Sequence, residues 1–390
     1  MFTNAPARWS NLFALDLGNS VMHDVYAWGD GEHARVVASN DPGHFALDPR
    51  TLDTVGPETL GGAVGKGWDF SPMPCPDPHS GHLIGWIKKP GLTDVLQFVE
   101  IDGSFKVVKQ TPWHKLGGGL AVVHDQRATA AWYVAVESGV KLSLPAAMWG
   151  ASTVWESLRP TAELASTLLL APRDGGPMRR VALPGVRLGF HGINAYDDGD
   201  RVVVDLCVYD DFVRFSAAAA RPDRERRGLR DAHGPTATPT RFVVDPSNGA
   251  LISQTRLGDA TGDAPEVADA VMGRPYRFAY WPTCLPTDDL PDRGGYFYFG
   301  RLAKLDVTTG DVTRWSAGDG AIVSPPQFVP RPGGADEDDG WLLAWVLRET
   351  GAEVVVLDAK TVSSVATLKL GIHLPAVSHT RWAAGVQLAG

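Results

Sequence analysis

Short apolar runs, and runs that alternate between apolar and polar residues, fill most of the chain, and clusters of Asp, Asn, Gly and Pro separate them. Segments with the period of an amphipathic helix are scarce. Alternation of apolar and polar positions is typical of half-buried strands, and the polar clusters are typical of the turns between strands. The pattern therefore predicts an all-β protein.

Four turns share one chemistry, in which an Asp ends an apolar strand and a Thr, Asn or Gly follows a few residues later. They begin at Asp48, Asp245, Asp306 and Asp358. Asp and Asn side chains cap such turns through bonds to the backbone, and Gly supplies the positive φ of a tight connection. Because this strand and turn unit recurs along the chain, it predicts a β-propeller, whose blades are small antiparallel sheets.

Strand signals continue from one end of the chain to the other without a linker, so we expect residues 1–390 to form a single propeller domain. Residues 216–240 contain an alanine run and five arginines, and we expect them to form an exposed insertion. The apolar residues 145–149 either pack in the core or contact a membrane, so peripheral membrane contact stays open. No window reaches the roughly 18 apolar residues of a membrane span, and the amino end lacks the pattern of a signal peptide.

Composition narrows the class of ligand. With 390 residues, 44% of them hydrophobic, the chain can bury a large core. The formal net charge of -9 argues against a nucleic-acid partner and fits an apolar small-molecule substrate better. The cysteines are widely spaced and form no CxxC pair, which argues against a disulfide framework, so we expect a reduced, cytoplasmic setting. The sequence leaves the oligomeric state open.

Four segments can be matched, in order, to the motifs of one known family. The first, WDFSPMPCPDPHSGHL, contains Met73 before an Asp-Pro turn; the others are AVVHDQRATAAWYV with His124, GFHGINAYDDGDRVVVD with His191 and HLPAVSHTRW with His379. Together they resemble the iron-ligand segments of the carotenoid cleavage oxygenases, the family that includes stilbene and apocarotenoid dioxygenases. The resemblance covers most of the chain, from about Val36 to the end.

This resemblance implies a seven-bladed β-propeller, with loops that cap one face over a mostly apolar axial cavity. It also implies that His124, His191 and His379 occupy three of the histidine positions that hold Fe(II) in the family, with Met73 at the fourth. Neutral imidazoles suit iron, and the open sites on such a metal accept dioxygen. The implied substrate is an apolar isoprenoid, polyene or aromatic alkene.

Departures from the family pattern point to a degenerate iron site. The family orients its histidines with glutamates, and alignment on the flanking motifs places Asn40, Asp263 and Pro325 at these positions. Only Asp263 is a carboxylate, and each such partner is typically worth about 10 to 100-fold in metal affinity or activity. The amino-terminal part is also shorter than in the family, so we expect a shortened first blade, which could open the cavity.

These departures leave three hypotheses for the function. The first is an enzyme that isomerises or cyclises the alkene without iron, with Asp125, Asp263, His124 and His191 as the candidates for proton transfer. The second is an Fe(II)-dependent dioxygenase that cleaves the alkene at a three-histidine centre. The third is a non-catalytic protein that binds a lipid-like ligand. We favour the first hypothesis, and expect the cofactor to be either none or Fe(II).

Overall fold

The computed structural model describes residues 21–30, 33–41, 43–142, 158–161, 165–186, 188–209, 237–285, 299–374 and 377–383. Within these ranges the regular structure is almost entirely β-strand, with a short 3₁₀ helix at Asp269–Val271. None of the helical segments there has the length and apolar character of a membrane span. The prediction of an all-β protein is confirmed.

The strands of the described residues form six antiparallel sheets, three of which lie in the first half of the chain. The first sheet contains β1 (Val21–Trp28), β2 (Arg35–Asp41), β3 (Gly43–Leu47) and β4 (Thr54–Glu58). The second contains β5 (Asp69–Phe70), β6 (Cys75–Pro76), β7 (Leu83–Lys89), β8 (Val95–Ile101), β9 (Val107–Gln110) and β10 (His114–Lys115). The third contains β11 (Ala121–Ala128), β12 (Trp132–Leu142), β13 (Leu158–Pro160), β14 (Ser166–Pro172) and β15 (Arg179–Leu183).

The remaining three sheets follow in the second half of the chain. The fourth contains β16 (Leu188–Asp198), β17 (Arg201–Tyr209), β18 (Thr238–Asp245) and β19 (Ala250–Arg256). The fifth contains β20 (Phe278–Thr283), β21 (Arg301–Asp306) and β22 (Val312–Ser316), and the segment before it adds single bridges from Gly262 and Glu266 to β20. The sixth contains β23 (Ile322–Val323), β24 (Gln327–Pro330), β25 (Gly340–Arg348), β26 (Gly351–Asp358) and β27 (Ser363–Lys369).

Each sheet is a propeller blade, because it is built from antiparallel strands of one continuous stretch of the chain. The described residues thus form a propeller with six blades, and the seven blades implied by the resemblance are wrong. The physical reason is that every strand of the described residues pairs within one of these six sheets, and residues 377–383, which carry His379, form no strand. They are attached to the sixth blade by a side chain, since the Trp382 amide donates a 3.0 Å bond to Oε1 of Gln327.

The recurring turns have the predicted chemistry. At each one, Oδ1 of the Asp accepts a bond from the amide two residues later, with N···O distances from 2.8 to 3.1 Å. The turns are at Asp48, Asp102, Asp245, Asp306 and Asp358, of which Asp102 was not predicted. Each leads into an outer strand of its blade, so the motif marks five of the six blades of the described residues.

Adjacent blades pack through apolar faces. Val134 and Leu168 of the third blade join Val204 and Phe242 of the fourth in one buried cluster. Similar clusters join the first blade to the second and the fifth to the sixth. Each fully buried side chain of this size contributes roughly 1.5–3 kcal/mol. None of the apolar clusters among the described residues joins the first blade to the sixth.

Two sequence predictions fall wholly or largely on residues that are not described. The apolar patch 145–149 lies outside the described residues, and so does the 216–236 portion of the predicted insertion 216–240. Of the last residues of that insertion, Ala237, Pro239 and Thr240 are buried, and β18 begins at Thr238. The extent of the domain and the shortening of the first blade stay predictions.

Candidate active site

Three histidines from distant parts of the chain meet in the interior. The imidazole of His191 on β16 lies with its centroid 5.0 Å from that of His124 on β11 and 5.2 Å from that of His379. These are the three histidines that the resemblance placed together. We refer to His124, His191 and His379 as the histidine cluster.

Local irregularities set two of these histidines in place. The pairing of β11 with β12 shifts register between Val123 and Gln126, where His124 lies. The pairing of β16 with β17 shifts between Gly189 and Gly192, where His191 lies. Bulges of this kind bend an edge strand and re-aim its side chains, and they are common beside active sites.

His191 belongs to a buried chain of hydrogen bonds. Its Nδ1 lies 2.8 Å from Oδ1 of Asp263, and the Tyr209 hydroxyl donates a 2.7 Å bond to Oδ2 of the same carboxylate. All three side chains are buried. Burial lowers the pKa of the His191 imidazole, but the Asp263 carboxylate outweighs burial and raises this pKa above its ordinary value. The remaining nitrogen, Nε2, is buried and has no hydrogen-bond partner among the described residues.

Asp125, another predicted site residue, lies next to the cluster but has both oxygens occupied. Its Oδ1 accepts a 2.8 Å bond from the Arg127 guanidinium, and its Oδ2 accepts a 2.9 Å bond from the Gly192 amide. These bonds tie β11 to β16 beside His124 and His191. The geometry therefore suits a positioning residue better than a proton donor.

Met73 lies in the loop between β5 and β6, and the β11 strand holds this loop. Nε2 of Gln126 donates a 2.7 Å bond to the Met73 carbonyl oxygen and a 3.3 Å bond to that of Ile84. Met73 lines a small inner cavity of about 30 Å³ together with His379. The structure thus brings Met73 close to the histidine cluster, as the alignment of motifs predicted.

Only one of the three predicted glutamate positions supplies a carboxylate to a histidine. Asp263 does so for His191. Pro325 lines the inner cavity but has no polar side-chain atom, and the backbone of Asn40 pairs with that of Gly43 in the first blade. His79 and His82 do not replace the missing ligand, because His79 bonds to the Gly273 carbonyl and His82 to Glu100.

Sequence reasoning missed three charged residues near the cluster. Asp24 is buried in β1, and burial raises its pKa to about 6, although the charge of Arg381 opposes this rise. Burial also raises the pKa of Glu266 to about 7, again against Arg381. Arg381 follows His379 by two positions, and both residues line the inner cavity. That spacing is the signal that could have found Arg381.

A wider cleft of about 780 Å³ lies outside the inner cavity, between the first blade and the fifth and sixth blades. Its walls include aromatic side chains, namely Tyr26, Trp28, Phe328 and Trp382. Glu266, Gln327 and Arg381 line both spaces and so mark the junction between them. The cleft carries several charges, and in this respect differs from the mostly apolar cavity that was expected.

The imidazole nitrogens of the histidine cluster are suitable ligands for iron, but their positions are less suitable. Three imidazoles are appropriate ligands for Fe(II), and a carboxylate on Nδ1 with a free Nε2, as at His191, is the usual arrangement of a ligating histidine. However, no three His, Cys, Asp or Glu side chains in the described part of the chain are placed to hold one metal ion. A thioether, that of Met73, stands at the fourth position. The donor types of the three histidines therefore suit iron, but in the described residues they are not arranged around one common position.

Comparisons with known proteins agree with this architecture. The sequence model of the family described as retinal pigment epithelial membrane protein matches residues 3–384. The chain is 28% identical over 399 residues to apocarotenoid-15,15'-oxygenase of Synechocystis sp., covering 98% of this chain and 77% of that protein. It is 28% identical over 368 residues to isoeugenol monooxygenase of Pseudomonas nitroreducens, covering 90% of this chain and 73% of the relative.

Solved structures give the same result. A variant of the Synechocystis apocarotenoid oxygenase superposes with a TM-score of 0.81 at 26% identity, covering 96% of this chain and 76% of the other. A cobalt-substituted form of that oxygenase gives the same TM-score, identity and coverage. The fold of this chain is thus similar to that of about three quarters of the oxygenase, which is consistent with a propeller.

Proposed function

Since the chain belongs to the retinal pigment epithelial membrane protein family, that of the carotenoid cleavage oxygenases, we propose that it is an enzyme that isomerises or cyclises an apolar alkene by proton transfer. The substrate class is an isoprenoid, a polyene or an aromatic alkene. The observation that carries the proposal is the buried chain from Tyr209 through Asp263 to His191, which ends in a nitrogen without a partner among the described residues.

This chain of bonds is suited to moving a proton. Asp263 accepts from Nδ1 of His191 and stabilises the imidazolium form, while the Tyr209 hydroxyl keeps the carboxylate in position. A proton on Nε2 is then available to a substrate atom in the interior. General acid catalysis by a positioned side chain contributes typically about 10² to 10⁴-fold to a rate.

The proposed reaction balances without an oxidant. The proton of His191 Nε2 adds to one carbon of the double bond, and the other carbon becomes a cation. In an isomerisation, a neighbouring carbon then loses its proton to a base, and the double bond moves by one position. In a cyclisation, the electrons of a second double bond attack the cation before this proton is lost.

Neighbouring rings support a cationic intermediate. The Phe190 ring lies 5.2 Å from His124 and 6.3 Å from Tyr209, measured between centroids. The faces of aromatic rings attract cations, and this attraction grows when water is excluded. In this proposal His124 or His379 takes the proton that the substrate releases, because each lies about 5 Å from His191.

A second candidate is an Fe(II)-dependent oxygenase, and one observation favours it. Three imidazoles converge although they come from separate segments, and the curated relatives are named as oxygenases. In that case His124, His191 and His379 would hold the metal. Bound Fe(II) would supply dioxygen activation.

Metal analysis separates the two candidates. We expect protein purified without oxygen to contain iron well below one equivalent, and its turnover of isoeugenol or an apocarotenoid to survive chelation. Iron near one equivalent, with turnover lost on chelation and restored by Fe(II), would establish the oxygenase and reject proton transfer. His191→Gln serves as the control, since it should abolish turnover in either case.

A further inference from the structure

Arg381 stands at the junction of the two spaces. Its side chain is partly buried and lines both the wide cleft and the inner cavity, where His379 also lies. Anything that passes from the cleft towards the histidine cluster along this route therefore meets a guanidinium group. Neither of the reactions considered above uses this residue.

The other cationic side chains of the cleft already have partners, whereas Arg381 has none among the residues that the structure describes. Arg35 pairs with Glu58 at 2.7 Å, and Arg331 pairs with Asp339 at 2.9 Å. Arg381 makes no ion pair or hydrogen bond with the described residues, although it lines the same cleft. Since a guanidinium carries five N–H donors, Arg381 retains donors for a ligand.

The charges around Arg381 decide which kind of ligand it can take. The acidic side chains of Asp24, Glu266 and Asp269 interact electrostatically with this guanidinium. Glu266 and Asp269 line the cleft with Arg381, and Asp24 lines the inner cavity with it. Three acidic groups thus already face this cation. A further full negative charge would add repulsion that an uncharged oxygen avoids.

We propose that Arg381 and Glu266 form a subsite for an uncharged hydroxyl group, so that the substrate of the proposed reaction is an alkene that carries an alcohol or a phenol. The hydroxyl oxygen accepts a bond from the guanidinium, and its hydrogen is donated to the Glu266 carboxylate. The alkene in this inference rests on the proposed function. The hydroxyl subsite itself rests on the position of Arg381 and Glu266 between the cleft and the inner cavity.

The volumes of the cleft and the inner cavity indicate where along the substrate the hydroxyl group lies. The cleft of about 780 Å³ can hold the body of an isoprenoid, whereas the inner cavity of about 30 Å³ admits only a small end. A hydroxyl at Arg381 lies between these two parts. The reacting double bond is therefore expected within a few bonds of the hydroxyl, as in an allylic alcohol.

Binding of four related probes tests the subsite without any turnover. The probes are geraniol, its methyl ether, the hydrocarbon myrcene and geranic acid, and quenching of tryptophan fluorescence reports their affinity. We expect the wild-type protein to bind geraniol at least about 10-fold more tightly than each of the other three. Equal affinities, or tighter binding of geranic acid, would overturn the proposal. The wild-type series alone decides this, so a variant that fails to fold does not leave the proposal untested.

Two variants test whether Arg381 causes the preference for geraniol over the other probes. Arg381→Met keeps the apolar stem and removes the donors, so geraniol should bind about 10-fold more weakly while myrcene is unchanged. Arg35→Met, which removes a paired cation of the same cleft, should leave the preference intact. A preference that survives in Arg381→Met would contradict the assignment. Failure of the proposed isomerisation would leave these affinities untouched, so the two proposals fail separately.

Discussion

Nδ1 of His191 lies 2.8 Å from Oδ1 of Asp263, although the two residues are 72 positions apart and belong to different blades. The pair is buried, and Tyr209 completes it from β17. The alignment of motifs places Asp263 where the family has a glutamate. Its side chain is one methylene shorter, yet it reaches His191. The proposed chemistry depends on this contact more than on any other.

Replacement of Asp263 by Asn should lower kcat by at least about 100-fold, with a smaller change in KM. The amide keeps the volume of the carboxylate but cannot stabilise an imidazolium at His191. Steady-state kinetics with an apocarotenoid or isoeugenol as the substrate measures this effect.

The matched control is Asp205→Asn, since Asp205 is also buried and bonded, to Arg241 and Tyr276, but makes no contact with a histidine of the cluster. The control should lose stability and keep its kcat. Equal kcat values for the Asp263 variant and the wild-type protein would show that the pair is not catalytic.

Gln126→Leu should destabilise the fold by about 2–4 kcal/mol. The change leaves the carbonyl oxygens of Met73 and Ile84 without their donor, and each unsatisfied buried group costs roughly 1–3 kcal/mol. Urea denaturation measures the free energy of unfolding. Gln110→Leu, on the exposed face of β9, is the control and should change stability by no more than about 0.5 kcal/mol. If both variants were equally stable, the loop of Met73 would not depend on Gln126.

Glu100 is expected to make the folded protein less stable as the pH falls into the acid range. Burial would raise its pKa, but bonds from Tyr133, His82 and Arg173 outweigh burial and lower the pKa to about 2, from an ordinary 4.5. A carboxyl group with a depressed pKa in the folded state stabilises the protein above its unfolded-state pKa. This contribution is complete above about pH 5 and is lost as the pH falls from there to about 2.

Glu100→Gln tests this contribution. At neutral pH the variant should lose about 3–5 kcal/mol, because Arg173 is left in a mostly buried position with one carboxylate partner fewer. Between pH 5 and 2 its free energy of unfolding should fall less steeply than that of the wild-type protein. Parallel curves over this range would show that Glu100 does not carry the acid sensitivity.

Met73→His should increase iron binding without producing oxidative cleavage. The new imidazole adds a ligand beside His379, but Pro325 and Asn40 still stand where the family has glutamates. Each missing partner costs about 10 to 100-fold in metal affinity or activity. Elemental analysis and mass spectrometry of the products check both parts. Oxidative cleavage by this single variant would show that the missing ligand alone had abolished oxygenase activity.

The sequence was sufficient for those features that local motifs encode. Each Asp turn is contained in a few consecutive residues, so Asp48 and Asp358 could be assigned directly. The convergence of His124, His191 and His379 followed only from the resemblance, because nothing in their spacing relates residues on separate blades. The alignment of motifs puts Asp263 at a glutamate position, and the structure shows that its carboxylate contacts His191.

Other features depend on long-range packing that no local pattern records. The number of blades depends on how strands from distant parts of the chain group into sheets, which their individual composition does not decide. The charges of Asp24, Glu266 and Arg381 meet at one junction although they come from three parts of the chain. Asp125 looked like a proton donor in the sequence, but only the structure shows Arg127 and Gly192 at its oxygens.

The most direct test of proton transfer is the mass of the product formed in D₂O, once under nitrogen and once under ¹⁸O₂. For proton transfer we predict turnover in both atmospheres. The product should keep the elemental formula of the substrate apart from deuterium at carbon, and it should contain no ¹⁸O. Products that contain ¹⁸O, together with no turnover under nitrogen, would contradict it.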